Sequence, residues 1–266
     1  MRTRVITAIV ALLIFIPTVL AGGVWLDIMG SLLAIIAMSE IILMRKKLLV
    51  SFEAIISMVG VVCMTLPSST WQQWNQYLPD ELSYSSLLYV FILLMLFHTV
   101  ISKNQFSFED AGVFTLAMMY IGMGFHFLVQ ARAAGLSVIF FGMLVVWITD
   151  SGAYMIGRKI GKTPLIPRLS PNKTVEGSVG GTLATVVIMG IYVYFFPQAY
   201  SLPIVLGMIL ILSVAGQFGD LIESGLKRYY KVKDSGSILP GHGGILDRFD
   251  SMLIVMPLLY LLGGMH

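Results

Sequence analysis

The chain has 266 residues, of which 57% are hydrophobic and only 12% charged, and its mean hydropathy is +0.88. A soluble domain runs about 25% charged, so these values exclude an ordinary soluble protein and read as an all-α, polytopic membrane protein with no polar stretch long enough for a soluble domain. The net charge of +3 is small and matters by its placement. No nucleic-acid partner is expected, and the single cysteine, Cys63, excludes an intramolecular disulfide.

A helix needs about 20 apolar residues to cross a bilayer. In chain order the candidate spans are Val5–Ala21, Val24–Met44, Ala54–Leu66, Ser86–Ser102, Asp110–Gln130, Leu136–Gly157, Val179–Phe196, Leu202–Ile222 and Ser251–Gly264, nine in all. Met1–Gly22 has the look of a signal peptide, but the spans behind it make it an uncleaved first helix. The third and ninth are short, and a re-entrant segment is the alternative for the third. Trp71, Trp74, Tyr77 and Tyr84 in the loop after it read as an interfacial aromatic belt. His98 and His126 stand alone in apolar spans, without ligand-spaced partners, and read as interhelical hydrogen-bonders. Gly122 with Gly124, and Ala215-Gly216 with Gly219, mark faces where helices approach closely.

With the N-terminus in the cytoplasm, the inner segments 1–4, 45–53, 103–109, 158–178 and 223–250 hold sixteen of the 17 Lys and Arg, and Arg132 alone lies outside. That asymmetry sets the orientation and leaves the C-terminus outside. Residues 1–135 are expected to form an N-terminal scaffold of five spans. Residues 136–266 are expected to form a catalytic region of four, with its polar loops on the cytoplasmic face.

The second half carries the unusual residues. Three prolines forbid a continuous helix between Gly157 and Gly181, and Ser170-Pro171-Asn172-Lys173-Thr174-Val175-Glu176-Gly177 reads as a structured turn that caps the seventh helix and offers Lys173 to an anion. Asp150 lies in the sixth span and Asp220 in the eighth. They precede Arg158 and Lys227 by eight and seven residues, so both sit about 10–12 Å before those cations, at similar depth. Charged groups inside a span must face a cation, a lysine or water. Asp247 and Asp250, three apart at the start of the ninth span, share a face. The long polar run Ser224–Asp250 adds Lys227, Arg228, Lys231, Lys233 and Arg248 and the glycine-rich turn Pro240-Gly241-His242-Gly243-Gly244. Cations, carboxylates and glycines mixed in this way suit a polyphosphate arriving with a divalent metal. Magnesium fits an oxygen-only donor set, whereas zinc lacks a Cys/His set.

The run Ser224-x-Leu226-Lys227-Arg228-x4-Lys233-Asp234-x-Gly236-x2-Leu239-Pro240-x-His242-Gly243-Gly244-Ile245-x-Asp247-Arg248-Phe249-Asp250 resembles the full signature of the phosphatidate cytidylyltransferase family, the CDP-diacylglycerol synthases. The SPNKTVEG turn and the TDSGAY segment around Asp150 are similar to the family's as well. The resemblance implies CTP and phosphatidic acid as substrates, CDP-diacylglycerol and pyrophosphate as products, a magnesium requirement, a homodimer and, for a bacterial chain, the inner membrane. On that basis Asp220 and Asp247 are expected to ligate magnesium, with Asp250 helping and Asp150 serving a second cation or the outer coordination sphere. Lys227, Arg228, Lys233 and Lys173 are expected at the phosphates, with Asp234 and His242 beside them. Ser224, Gly241, Gly243, Gly244 and Arg248 are expected to shape the nucleotide site. The alternatives are a CTP-dependent lipid kinase, a cytidylyltransferase for another lipid, and a cation-coupled transporter.

Overall fold

A computed structural model describes residues 2–67, 70–71, 84–196 and 199–265. Trp74 and Tyr77 of the expected aromatic belt lie outside the described residues. Among the described residues, five helices are long and apolar enough to cross a membrane and four more are shorter and apolar. The chain is an all-α polytopic membrane protein, and it divides into two compact units, Met1–Ala133 with Ser235–Leu246, and Ala134–Asp234 with Asp247–His266.

The first unit contains α1 (Arg2–Ala21), α2 (Gly23–Met44), α3 (Phe52–Thr65), α4 (Tyr84–Ile101) and α5 (Phe108–Ala134). Charged and imidazole groups of this unit find partners, as an apolar setting requires. Arg45 pairs with Asp110, Lys47 lies 3.6 Å from the same carboxylate, and His98 Nε2 meets Glu53 Oε2 at 3.1 Å. His126 Nδ1 lies 3.0 Å from the Leu66 carbonyl, so both histidines join neighbouring helices. Arg132 donates to Val19 O at 2.6 Å and Leu20 O at 2.9 Å, satisfying carbonyls that the end of α1 leaves open. At Gly122 an added Cβ would lie 2.5 Å from Met64 Cβ, so α5 and α3 pack with a glycine at the contact.

The second unit contains α6 (Leu136–Ile160), a hairpin of β1 (Pro164–Ile166) and β2 (Ser170–Thr174), α7 (Val175–Phe195), α8 (Leu202–Tyr229), and, after the excursion into the first unit, the short α9 (Leu246–Phe249) and α10 (Met252–Leu261). The turn expected before the seventh helix is thus a two-stranded hairpin. Thr174 caps α7 by accepting from Gly177 N, and Glu176 Oε1 and Oε2 gather Lys162 N, Thr163 N and Thr163 Oγ1 within 3.2 Å. Helix α8 runs seven residues past the expected end of its span. Ser224, Lys227 and Arg228 therefore stand on a helix rather than in a loop. Glu223 and Lys227 at i, i+4 and basic residues in the last turn favour that extension.

Backbone contact sets the depth of the site. An added Cβ at Gly181 of α7 would lie 2.7 Å from Ala153 N of α6, and one at Gly177 would lie 2.7 Å from Ala153 O. An added Cβ at Gly219 of α8 would lie 2.6 Å from Asp250 O. Within the apolar middle of the unit, Thr149, Thr185, Ser213, Thr182 and Gln217 link α6, α7 and α8 by hydrogen bonds of 2.8–3.1 Å.

Candidate active site

One face of α8 organises the polar side chains of the second unit. Asp220, Glu223, Ser224 and Lys227 follow one another at i, i+3, i+4 and i+7, so they form a single stripe. Ser224 Oγ donates to Asp220 Oδ1 at 3.3 Å. At the upper end of the stripe Lys173, delivered by β2, forms an ion pair with Asp220, and both side chains keep about a third of their exposure. At the lower end Lys227 Nζ lies 2.5 Å from Glu223 Oε2 and 2.6 Å from Asp247 Oδ1.

The Asp247–Asp250 pair splits along this stripe. Asp247 of α9 goes to Lys227, while Asp250, one turn later, is held by the close approach at Gly219 and accepts from Ser251 N at 2.7 Å. Asp250 is half-buried. Surrounding protein pushes its carboxyl up to about 7, the Asp220 charge adds to this, Asp150 contributes further, and Lys173 opposes it. Asp150, Asp220, Asp250 and Lys173 therefore form one electrostatic group. Arg228 donates through Nε to Leu169 O at 3.2 Å, tying the end of α8 to the hairpin that carries Lys173. Lys233 and Asp234 are exposed past the end of α8, and Arg248 is exposed between Asp247 and Phe249 on α9.

The glycine-rich turn belongs to the first unit. His242 N donates to Leu239 O at 2.8 Å across Pro240-Gly241, with Gly241 at φ 77°, the pattern of a turn with Pro and Gly at its two centres. Leu239 N donates to Gly243 O at 3.1 Å, and Gly243 sits at φ 83°, where L side chains are strained. Gly244 has a different reason to be glycine. A Cβ there would meet Ser235 Oγ and Glu40 Oε2.

The donor set of the second unit suits a hard cation. Asp220 pairs with Lys173, the charges of Asp150, Asp220 and Lys173 all act on Asp250, and Glu223 and Asp247 share Lys227, so five carboxyl groups accompany two ammonium groups. All the anionic ligands are oxygens, which magnesium prefers. Among the described residues no three His, Cys, Asp or Glu side chains converge closely enough to hold a metal ion. The lysines take oxygens that would otherwise face one. Such a site fits magnesium bound through one or two carboxylates and completed by water and phosphate, not a cation caged by protein alone.

Two features escaped sequence reasoning. Glu40, on α2, is an acid inside an apolar span, the same signal that singled out Asp150 and Asp220, and it holds the glycine-rich segment. The sharing of Lys227 by Glu223 and Asp247 was legible only in its helical half, the i, i+4 spacing.

The chain matches the cytidylyltransferase family over residues 2–266. It is 45% identical over 262 residues to the phosphatidate cytidylyltransferase of Staphylococcus aureus (strain COL), covering 98% of both chains. It is 46% identical over 263 residues to that of Staphylococcus saprophyticus and 44% identical over 262 residues to that of Staphylococcus haemolyticus, again with 98% of each chain covered.

Proposed function

The chain belongs to the cytidylyltransferase family, and on that premise we propose that it transfers CMP from CTP to phosphatidic acid, giving CDP-diacylglycerol and pyrophosphate. The observation that carries this reading is the acidic stripe of α8 with its two lysines, a strongly charged cluster in a unit otherwise made of apolar helices. Lysines for phosphate oxygens beside carboxylates for a bridging cation are what a metal-bound polyphosphate needs.

The chemistry asks for few special groups. A phosphate oxygen of the lipid attacks the α-phosphorus of CTP, the bond to the bridging oxygen of pyrophosphate breaks, and the charge leaves on pyrophosphate. The nucleophile is already an anion, so no strong general base is required. The barrier is largely repulsion between anions and their alignment. Lys173 and Lys227 stand at the two ends of the stripe with their ammonium groups oriented by carboxylates, Lys227 the more buried of the two. Phosphate oxygens offer these lysines alternative partners at little reorganisation cost. Arg228 braces the hairpin against α8 and keeps Lys173 in place. Asp220 and Asp247 would hold magnesium, with Asp250 and Asp150 in support, and the ion would supply neutralisation of phosphate charge and alignment of the triphosphate.

The crowding of Lys and Arg into five segments of the chain supports a site on the cytoplasmic side of a bacterial inner membrane, where CTP arrives from water and the lipid from the bilayer. The family resemblance also favours a homodimer. Labelled CTP tests the reaction. Purified protein should release pyrophosphate and form CDP-diacylglycerol only when phosphatidic acid is present. Release of CDP would mean a kinase, and ion uptake by reconstituted vesicles without CTP turnover would mean a transporter.

A further inference from the structure

The Ser235–Leu246 segment carries the glycine-rich turn, and its conformation is set by a side chain about two hundred residues earlier. Glu40 of α2 is 3% exposed. Its Oε2 accepts from Ser235 Oγ at 2.8 Å and from Leu246 N at 3.0 Å, and its Oε1 accepts from Ile245 N at 2.7 Å. These donors come from the two ends of the segment, so one carboxylate closes it into a loop. Ser235, Ile245 and Leu246 are all buried. Gly236 and Gly244 lie flush against the same carboxylate. A Cβ at Gly236 would lie 2.8 Å from Glu40 Oε1, and one at Gly244 would meet Oε2. At the tip Thr7 Oγ1 donates to Pro240 O at 3.0 Å, a second tie from the N-terminal helices.

A buried carboxylate is costly unless hydrogen bonds satisfy it, and here donors converge on an acceptor-only group. A glutamine in the same place would turn an NH2 toward an N–H or O–H donor. We propose that Glu40 is a positioning residue for nucleotide binding: it clasps both ends of the Ser235–Leu246 loop so that the Gly241–Gly243 backbone is presented to CTP in one conformation. Glu40 touches no substrate itself. This rests on the reading that the loop receives CTP.

The test uses the full-length protein with Glu40→Gln, Glu40→Asp and Ser235→Ala. Equilibrium binding of labelled CTP is measured alongside the KM for each substrate. E40Q should weaken CTP binding and raise the CTP KM about tenfold or more, with the KM for phosphatidic acid changed less than about twofold. S235A, which loses one bond of the clasp, should raise the CTP KM about threefold, and E40D, which keeps the charge, should fall between the two. A folded E40Q with the parent's CTP affinity overturns the proposal. So does an E40Q that only lowers kcat in step with its folded fraction. If E40Q does not fold, S235A decides, and an unchanged CTP KM there overturns it. A parent protein that binds CTP but never releases pyrophosphate would instead sink the function, leaving the binding comparison to judge the clasp.

Discussion

Replacing Lys227 with methionine removes the ammonium that Glu223 and Asp247 share while keeping most of the side chain's volume. The lysine side chain is 15% exposed, and its partners are 2% and 6% exposed. Stripping a buried ion cluster of one partner costs about 3–5 kcal/mol, because the remaining charges stay desolvated and uncompensated. For a chain of this size about 2–4 °C of melting temperature follows each kcal/mol, so K227M should melt about 10 °C lower in detergent without divalent cations. Glu223→Gln removes one of the two stranded charges. The double variant K227M/E223Q should therefore recover a large part of the loss, and E223Q alone should cost much less than K227M because Lys227 and Asp247 still balance. The assay is thermal unfolding of the four proteins as a double-mutant cycle, with pyrophosphate release as a second readout. A K227M protein that melts within about 1 °C of the parent, or a double variant no more stable than K227M, would show that the two acids do not depend on a shared ammonium.

Other perturbations separate stability from catalysis. Lys173 and Asp220 each keep about a third of their side-chain exposure, so K173A should shift stability by about 1 kcal/mol or less while lowering kcat/KM for CTP about a hundredfold; equal losses in both would contradict it. The Asp250 carboxyl is raised above its unfolded value of 3.8 to about 7, so its contribution favours the fold at low pH and is lost as pH rises from about 4 through 7. Without magnesium the melting temperature should fall across that window, and Asp250→Asn should flatten the fall. An unchanged profile would speak against burial of that charge. Gly181→Ala would place a Cβ 2.7 Å from Ala153 N. Forcing α6 from α7 should cost about 1–3 kcal/mol and lower activity through displacement of the Lys173 hairpin, whereas a neutral G181A would show that the contact relaxes freely.

The helical architecture was legible because apolar runs of spanning length admit few alternatives. Helix ends were less so. Ser224, Lys227 and Arg228 read as loop because hydropathy falls after Ile222, yet α8 continues to Tyr229, where side-chain pairing replaces apolar burial as the support. The prolines at 164, 167 and 171 exclude a helix, but nothing local distinguishes a hairpin from a turn, since pairing of Pro164 with Thr174 is a tertiary fact. Four of the carboxylates were visible as acids in or beside apolar segments. Their partition was not: spacing puts Asp247 and Asp250 on one face, but only the approach of α8 at Gly219 sends Asp250 toward Asp220 and Asp247 toward Lys227. Glu40 shows the reverse case. The sequence signal was present, and its partner lay too far along the chain to suggest a role.

We propose that acids from α8 and from the segment before α10 serve a hard cation completed by the phosphates of CTP. The decisive measurement is a magnesium titration of CTP turnover in Asp220→Asn and Asp247→Asn. Both variants should lose most activity at low magnesium and need higher concentrations to regain any. Turnover near the parent's at low magnesium in both would contradict it.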